Sequence, residues 1–127
     1  MIAVDTSALV AIVLKEAQGD ACAVALRDDD QILISAATMA EALIVSAGRN
    51  FTPDMVALIE ELDCEIVSVT AATARRIGEA YKQWGKGFHP AGLNFGDCFS
   101  YELAKDRGCP LLYVGNDFAK TDVASVL

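Results

Sequence analysis

The sequence begins MIAVDTSALVAIVL, and residues 2–14 of this stretch decide how the chain can fold. Ile2-Ala3-Val4 is a short apolar run, which is typical of a buried strand. Asp5 follows directly, and the residues from Thr6 to Leu14 predict an apolar helix. The chain therefore opens with a buried strand that passes, at an acidic residue, into a helix.

Strands and helices alternate along the rest of the sequence. The predicted strands cover residues 2–4, 32–34, 65–69 and 111–114, with a short edge strand at 123–126. The predicted helices cover residues 6–14, 18–27, 38–47, 53–62, 70–84 and 97–107. We find no repeat, linker or low-complexity segment, so residues 1–127 are expected to form one domain. The alternation predicts an α/β fold of three layers, α/β/α, around a mainly parallel sheet of four to five strands.

Single residues predict several helix boundaries. Gly48 and Gly108 are expected to close their helices, because glycine readily adopts the left-handed conformation that is common at this position. Thr52 is expected to cap the fourth helix, with Pro53 at its first position. A glycine-rich loop, residues 85–96, is expected to connect the last two helices.

Composition argues against several classes of protein. The longest uncharged apolar stretch, Ala8 to Leu14, is too short to cross a bilayer, and Asp5 interrupts any secretory signal, so we expect a cytoplasmic protein without membrane association. Four cysteines without a CxxC pair and a single histidine argue against a zinc site and a disulfide framework. The net charge of −8 argues against a general nucleic-acid coat, although an enzyme with a local basic rim is compatible with it.

Four acidic residues lie where a strand-like run gives way to a turn or a helix: Asp5, Glu41, Asp97 and Asp117. The carboxyl ends of parallel strands meet at one edge of the sheet, where ligands bind. Two like charges about 4 Å apart repel by roughly 4 kcal/mol at an effective dielectric of about 20. Because a bound cation offsets such repulsion, the four acids predict a site for a divalent metal ion.

Each acid also has a purely structural interpretation. Asp5 and Asp97 suit helix N-caps, and the stretch from Thr38 to Glu41 matches a capping box. Residues 115–117 suit an ordinary turn. Serine, threonine and asparagine serve equally well as caps, so four acids at one edge favour the metal site, but the structural interpretation stays open.

The acids and their contexts resemble the PIN-domain ribonucleases, and within them the VapC-type toxins of bacterial toxin–antitoxin pairs. The likeness spans essentially the whole chain, and its main carriers are residues 2–7 (IAVDTS), 35–41 (SAATMAE), 95–98 (FGDC) and 111–118 (LLYVGNDF). Residues 85–94 (GKGFHPAGLN) and 119–122 (AKTD) resemble one branch of that family. Gly115 departs from the family pattern, since many members carry Ser or Thr there. Asn116 and Thr121 are candidates for the missing polar contact, and Asp122 is either a supplementary acid or a solvated carboxylate.

The resemblance implies a PIN-like fold and a metal-dependent endoribonuclease that uses Mg²⁺, with Mn²⁺ as an alternative. Its implied catalytic residues are Asp5, Glu41, Asp97 and Asp117. Asp5, Asp97 and Asp117 are the expected metal ligands, and Glu41 is expected to help deprotonate the attacking water. The resemblance further implies an RNA substrate of the tRNA or rRNA class, a VapB-like antitoxin protein that holds the enzyme inactive, and a homodimer.

Several residues are candidates for binding RNA. Thr6 and Ser7 could hydrogen-bond a carboxylate or a phosphate, although a plain role early in a helix explains them equally well. Arg49 and Lys86 are the first candidates for a basic rim. Further candidates for the rim, or for stacking on bases, are Lys82, His89, Arg75, Arg76, Trp84 and Phe88.

Other functions fit the sequence less well. A receiver-like phospho-acceptor needs an Asp after the third strand, where residues 67–70 read VSVT. A phosphatase with an aspartyl nucleophile needs DxD after the first strand, and residues 5–7 (DTS) lack the second acid. A non-toxin PIN-domain RNA-processing nuclease and a non-catalytic protein-binding α/β domain stay open as alternatives.

Overall fold

The computed structural model describes residues 1–127 as four strands and six helices. The strands are β1 (Ile2–Val4), β2 (Ile32–Ser35), β3 (Glu65–Val67) and β4 (Leu111–Leu112). The helices are α1 (Thr6–Val13), α2 (Gly19–Arg27), α3 (Ala36–Gly48), α4 (Thr52–Leu62), α5 (Ala71–Trp84) and α6 (Phe95–Arg107). None of the helices has the length and apolar character that crossing a membrane requires.

The four strands form one sheet in the order β3-β2-β1-β4, and every neighbouring pair is parallel. The chain moves outward from β1 through β2 to β3, and then returns to the other side of β1 with β4. Strand order therefore reverses beside β1. In a sheet of this kind the ligand crevice lies at the carboxyl end of the strands at such a reversal, which here is the position of Asp5.

Alternate strand residues point to opposite faces of the sheet and build two separate cores. One core contains Ile2, Val4, Ile32 and Ile34 packed against residues of α1 to α4. The other contains Ala3, Leu33 and Leu111 packed against residues of α5 and α6. The predicted three-layer α/β fold is confirmed, with four strands.

Several helix starts differ from the prediction because other residues provide the caps. The Ser35 hydroxyl accepts a hydrogen bond from the Ala37 backbone N–H at 3.3 Å, so α3 begins at Ala36 and not at Thr38. The Asn94 side chain caps α6, which begins at Phe95 and not at Asp97. Thr52 is the first residue of α4 and not its cap, which is Phe51.

The helix ends are partly as predicted. Gly108 closes α6 in the left-handed conformation, with φ of 62°. Gly48 is the last residue of α3, but the left-handed residue that reverses the chain there is Asn50, also with φ of 62°. Both helices therefore end at a glycine, but only Gly108 adopts the left-handed conformation.

The strand ends are shorter than predicted. The edge strand expected at 123–126 is reduced to a single bridge between Leu111 and Ser125. β3 ends at Val67 because the Thr70 hydroxyl turns to cap α5, accepting a hydrogen bond from the Thr73 backbone N–H at 3.2 Å. The end of the sheet at β3 is therefore short and rich in hydroxyl groups.

Candidate active site

Asp5 lies at the carboxyl end of β1, where it caps α1. Its Oδ2 accepts hydrogen bonds from the Ser7 backbone N–H at 3.1 Å and from the Ser7 hydroxyl at 2.7 Å. Its Oδ1 accepts a hydrogen bond from the Ser100 hydroxyl at 2.5 Å. The capping interpretation is correct for Asp5 but incomplete, because a helix cap does not require the second oxygen to be bound from α6.

The sequence predicts that Glu41 lies in the first turn of its helix. In the structure α3 begins earlier, at Ala36, so Glu41 lies beyond the first turn. The Thr6 hydroxyl donates to its Oε1 at 2.6 Å. A Cβ atom at position 96 would collide with its Oε2, so Gly96 provides the space that this oxygen occupies. No capping box forms here, since Ser35 and not Thr38 is the N-cap. Glu41 therefore reaches from α3 to both α1 and α6.

Asp97 forms a capping box with Asn94 at the start of α6. The Asp97 backbone N–H donates to Asn94 Oδ1 at 2.9 Å, and Asp97 Oδ2 accepts from the Asn94 backbone N–H at 3.0 Å. Burial raises the pKa of Asp97 to about 6, against the lowering effect of the Asn94 hydrogen bond. The negative charges of Asp5, Asp117 and Glu41 raise this pKa further. The other three predicted acids thus lie close enough to Asp97 to act on its carboxyl group.

Asp117 differs from the other three acids in being exposed, in the turn that follows β4. The segment that carries it is attached to α1, because the Val114 backbone N–H donates to the Ser7 hydroxyl at 3.0 Å. The same hydroxyl donates to Asp5. Ser7 therefore links the end of β4 to the acid that follows β1.

Hydroxyl groups connect the acids across the crevice, and sequence reasoning missed one of the most important. Ser100 lies three positions after Asp97 and so shares its face of α6. Its hydroxyl binds Asp5 and lies 3.3 Å from Thr38 Oγ1. Asn94 and Gly96 were also not predicted as parts of the site. The spacing Asp97-x-x-Ser100 is the signal in the sequence that could have identified Ser100.

The site offers only oxygen donors, which suits Mg²⁺ or Mn²⁺. No three acidic, histidine or cysteine side chains converge on one point in the way that metal ligands do. The contacts explain this, because Asp5 gives both oxygens to serine donors. Glu41 Oε2 and Asp97 Oδ1 accept no hydrogen bond, and no buried side-chain oxygen or nitrogen lacks a partner, so both atoms face solvent. Together with the exposed Asp117, they fit a hydrated cation held by few direct carboxylate contacts.

Only some of the predicted RNA-binding residues lie beside the acids. Thr6 and Ser7 lie within the site, where their hydroxyls bind Glu41 and Asp5. Arg49 follows the last residue of α3, about 12 Å further along the helix than Glu41, and its guanidinium lies 5.9 Å from the centre of the Phe51 ring. The structure therefore separates Arg49 from the acids.

Lys86 lies in the loop that leads back to α6, where its backbone N–H donates to the Leu93 carbonyl at 2.9 Å. Its side chain is exposed. His89 turns inward in the same loop, because its Nδ1 accepts from the Ala91 backbone N–H at 3.0 Å and its ring packs 4.7 Å from that of Trp84. Of these two loop residues, Lys86 is the one free to meet a polyanion.

Neither candidate supplies the polar contact missing at Gly115. The Thr121 hydroxyl donates to the Phe118 carbonyl at 2.7 Å, and Asn116 is exposed. Asp122 accepts from the Tyr101 hydroxyl at 2.6 Å and from Lys105 at 3.2 Å, and the tyrosine hydrogen bond is the main cause of its lowered pKa. Asp122 thus joins the C-terminal segment to α6.

Comparison with known proteins identifies the family to which the chain belongs. The PIN domain family matches residues 2–124 of the chain. Ribonuclease VapC of Mycolicibacterium smegmatis is 42% identical over 126 residues, which cover 97% of this chain and 98% of the relative. Ribonuclease VapC28 of Mycobacterium tuberculosis is 44% identical over 128 residues, which cover 98% and 96%.

Solved structures share the fold. The crystal structure of Mycobacterium tuberculosis VapC20, described as a Sarcin-Ricin loop cleaving toxin, has a TM-score of 0.81 at 17% identity and covers 99% of this chain and 98% of its own. A chain of a toxin–antitoxin complex from Klebsiella pneumoniae has a TM-score of 0.70 at 16% identity and covers 96% and 93%. These identities support the fold alone, whereas the family match and the full-length relatives support descent. The chain therefore belongs to the PIN domain family, and within it to the VapC proteins.

Proposed function

We propose that this chain is a metal-dependent endoribonuclease and the toxin of a VapB–VapC-type toxin–antitoxin pair. The observation that carries the proposal is the approach of Asp5, Glu41 and Asp97, from three different elements, to one crevice beside β1. Relatives that are 42% and 44% identical over nearly their whole length are named ribonucleases.

Asp5, Asp97 and Asp117 would hold the cation. Asp97 offers its free Oδ1, Asp117 its exposed carboxylate, and Asp5 the lone pair of Oδ1 that the Ser100 hydrogen bond leaves free. A divalent cation there neutralises charge on the scissile phosphate and lowers the pKa of the attacking water. Ser7 and Ser100 fix the orientation of Asp5 through its two oxygens.

Glu41 is the proposed general base. The Thr6 hydroxyl holds its Oε1, which leaves Oε2 as the atom that accepts a proton from water. No side chain of the site pairs a nucleophile with a histidine base, since the single histidine, His89, is engaged in its own loop. Water is therefore the proposed nucleophile, and the product strand would carry a free phosphate at the cut.

The experiment is cleavage of RNA by purified protein in Mg²⁺, in Mn²⁺ and in excess chelator. We expect cleavage with either metal, none in chelator, and recovery when metal is restored. The matched control is the Glu41→Gln protein carried through the same purification, which reveals any contaminating nuclease. If the wild type cuts RNA in excess chelator and the Glu41→Gln protein does not, metal dependence is contradicted.

A VapB-like antitoxin is the proposed partner. Structures of similar fold include a toxin–antitoxin complex from Klebsiella pneumoniae and VapBC2 from Rickettsia felis bound to a DNA fragment from their promoter. Because the crevice is acidic, we predict that an Arg or Lys of the antitoxin approaches Asp5, Asp97 or Asp117. A structure of the complex in which this crevice is left open would contradict the prediction.

The RNA class and the homodimer complete the proposal. The description of VapC20 as a Sarcin-Ricin loop cleaving toxin supports a ribosomal RNA substrate, with tRNA as the alternative. Exposed Phe95 and Val69 border an apolar groove between α5 and α6, which supports self-association. Mapping RNA ends after expression in a bacterium tests the first point, and light scattering tests the second. Cuts confined to RNA other than tRNA and rRNA would favour a processing nuclease.

A further inference from the structure

A second polar pocket lies beside the carboxyl ends of β2 and β3, between α5 and α6. Its volume is about 220 Å³, and only two of its nine lining residues are hydrophobic. Ser35 and Val67 line it from the sheet, Arg76 from α5, and Glu102 and Asp106 from α6. None of these residues belongs to the acidic crevice described above, so the pocket has no role in the proposed cleavage step.

Glu102 is the most informative residue of this pocket. It is 6% exposed, and its Oε1 accepts a hydrogen bond from Arg76 Nε at 3.0 Å. Its Oε2 has no partner in the protein, and because no buried side-chain oxygen lacks a partner, Oε2 opens onto the pocket. Burial raises the pKa of Glu102, although Arg76 opposes this effect. A carboxylate buried for stability alone would be expected to use both oxygens.

Arg76 is likewise only partly used. Its Nε donates to Glu102 and lies 3.8 Å from Asp106 Oδ1, while its two terminal nitrogens make no hydrogen bond. The Arg76–Glu102 pair therefore presents one free acceptor, Glu102 Oε2, beside two free donors on a planar guanidinium. The Asp106 carboxylate and the hydroxyls of Ser35, Ser68, Thr70 and Thr73 line the rest of the pocket. Its size suits a single aromatic ring system and its polarity suits a hydrogen-bonding edge.

We infer that this pocket binds one nucleobase of the RNA substrate and reads its Watson–Crick edge. The inference rests on the proposed ribonuclease function and deepens it, since it concerns which sequence the enzyme selects. One acceptor beside two donors matches the edge of cytosine, which offers one amino donor beside two acceptors. A phosphate group is disfavoured, because the carboxylates of Glu102 and Asp106 line the same pocket.

The position of the pocket suits a base near the cut. β3 is separated from β1 by one strand, so the end of β3 lies roughly 10 Å from the strand end that carries Asp5. Arg75, Arg76 and Lys82 line a shallow surface of α5 next to the pocket. Arg75 and Lys82 would contact the backbone phosphates on either side of the bound base, while Arg76 contacts the base itself. The arrangement fits a strand of RNA better than a free nucleotide.

Glu102→Gln tests the inference with little change in structure. The glutamine oxygen can keep the hydrogen bond from Arg76, while its amide nitrogen replaces the free acceptor by a donor. The matched control is Glu65→Gln, which removes the same charge from the exposed ion pair of Glu65 with Arg107, 3.0 Å apart. Melting temperatures establish that both variants are folded.

The measurement is the base composition around the cut sites in a random pool of single-stranded RNA. We expect the wild type and Glu65→Gln to show enrichment of cytosine at one fixed position. Glu102→Gln should reduce this enrichment roughly tenfold relative to the wild type and Glu65→Gln. An unchanged base profile in folded Glu102→Gln would overturn the inference and leave the ribonuclease proposal intact.

Binding of cytidine 5′-monophosphate, followed by nuclear magnetic resonance, separates the two proposals. If the wild type cuts no RNA, the ribonuclease proposal fails. The base site would still be supported by chemical shift changes that are confined to the pocket and that are absent in Glu102→Gln. Absence of such shifts in the wild type at millimolar nucleotide would overturn the inference whether or not RNA is cut.

Discussion

At the scale of single residues, Gly96 leaves the space in which the Glu41 carboxylate lies. A Cβ atom at this position would collide with Glu41 Oε2, the atom proposed to accept the proton from water. We therefore predict that Gly96→Ala displaces the Glu41 carboxylate and lowers RNA cleavage roughly 100-fold, as misplacement by about 1 Å commonly does.

The control for this prediction is Gly48→Ala in α3, where an added Cβ meets nothing within 4 Å. Alanine favours a helix over glycine by up to about 1 kcal/mol, so both variants should stay folded. RNA cleavage and melting temperature are measured side by side. Equal cleavage by the two alanine variants would show that Gly96 does not position Glu41.

Asp97 makes stability depend on pH when metal is absent. Burial and the neighbouring acids raise its pKa from 3.8 to about 6 in the folded chain, so the folded state holds this proton more tightly than the unfolded state. The resulting stabilisation is present at low pH and is lost as pH rises through 6. In chelator, the free energy of unfolding should therefore fall between pH 5 and pH 7, and about 1 kcal/mol of this fall should be absent in Asp97→Asn.

Urea unfolding at the two pH values checks this difference. Asp122→Asn is the matched control, because the pKa of Asp122 is lowered and the group stays ionised over this range. The control should follow the wild type. If Asp97→Asn also follows the wild type, the carboxyl of Asp97 does not carry the proton that the geometry assigns to it.

At the scale of elements, the sequence predicts the order and type of every helix and strand but misplaces several boundaries. Apolar runs identify β1, β2 and β4, whose residues are all buried. β3 is largely exposed, and its alternation of polar and apolar residues identifies it instead. The starts of α3 and α6 were predicted late, since Ser35 and Asn94 compete as caps with Thr38 and Asp97 within a few positions. The capping propensities of these residues do not decide which of them caps the helix. The choice depends on how the start of the helix packs against neighbouring elements.

The cap of α6 gives a prediction at this scale. Asn94→Ala removes the side-chain oxygen that accepts from the Asp97 backbone N–H, and should lower the free energy of unfolding by about 1 kcal/mol. Asn94→Ser should restore most of this loss, because serine caps helices well. Cleavage should fall in the alanine variant and recover with serine, since the start of α6 orients Asp97. Urea titration measures the free energy of unfolding of each variant. If Asn94→Ala is as stable as the wild type, Asn94 does not act as a stabilising cap.

At the scale of the whole molecule, topology explains why the acids meet although they lie far apart in sequence. Strand order reverses beside β1, which brings the end of β1 next to the start of α6 and the turn after β4. Sequence reasoning could anticipate this edge from parallel strands alone. It could not anticipate that Glu102 and Arg76 form a pocket, because this depends on how α5 and α6 cross the sheet.

The charge of the molecule limits how RNA is bound. With a net charge of −8, the chain relies on a few exposed cations, of which Arg75, Arg76, Lys82 and Lys86 lie on or just after α5. Because at most these four cations contact phosphates, the slope of log affinity against log salt should be no steeper than about −3 for single strands. Titrations of the Asp97→Asn protein with single-stranded RNA at several salt concentrations measure it. A much steeper slope would place the RNA on another surface.

Asp97→Asn tests the central claim most directly, because it separates helix capping from catalysis. Asparagine can still accept the hydrogen bond from the Asn94 backbone N–H, whereas an amide at Asp5 could not accept from all three of its donors. Melting temperature in chelator and RNA cleavage in Mg²⁺ are measured on the same preparation. The metal-nuclease account predicts a melting temperature equal to or above that of the wild type, with cleavage reduced to background. A folded variant that cuts RNA at the wild-type rate would contradict it.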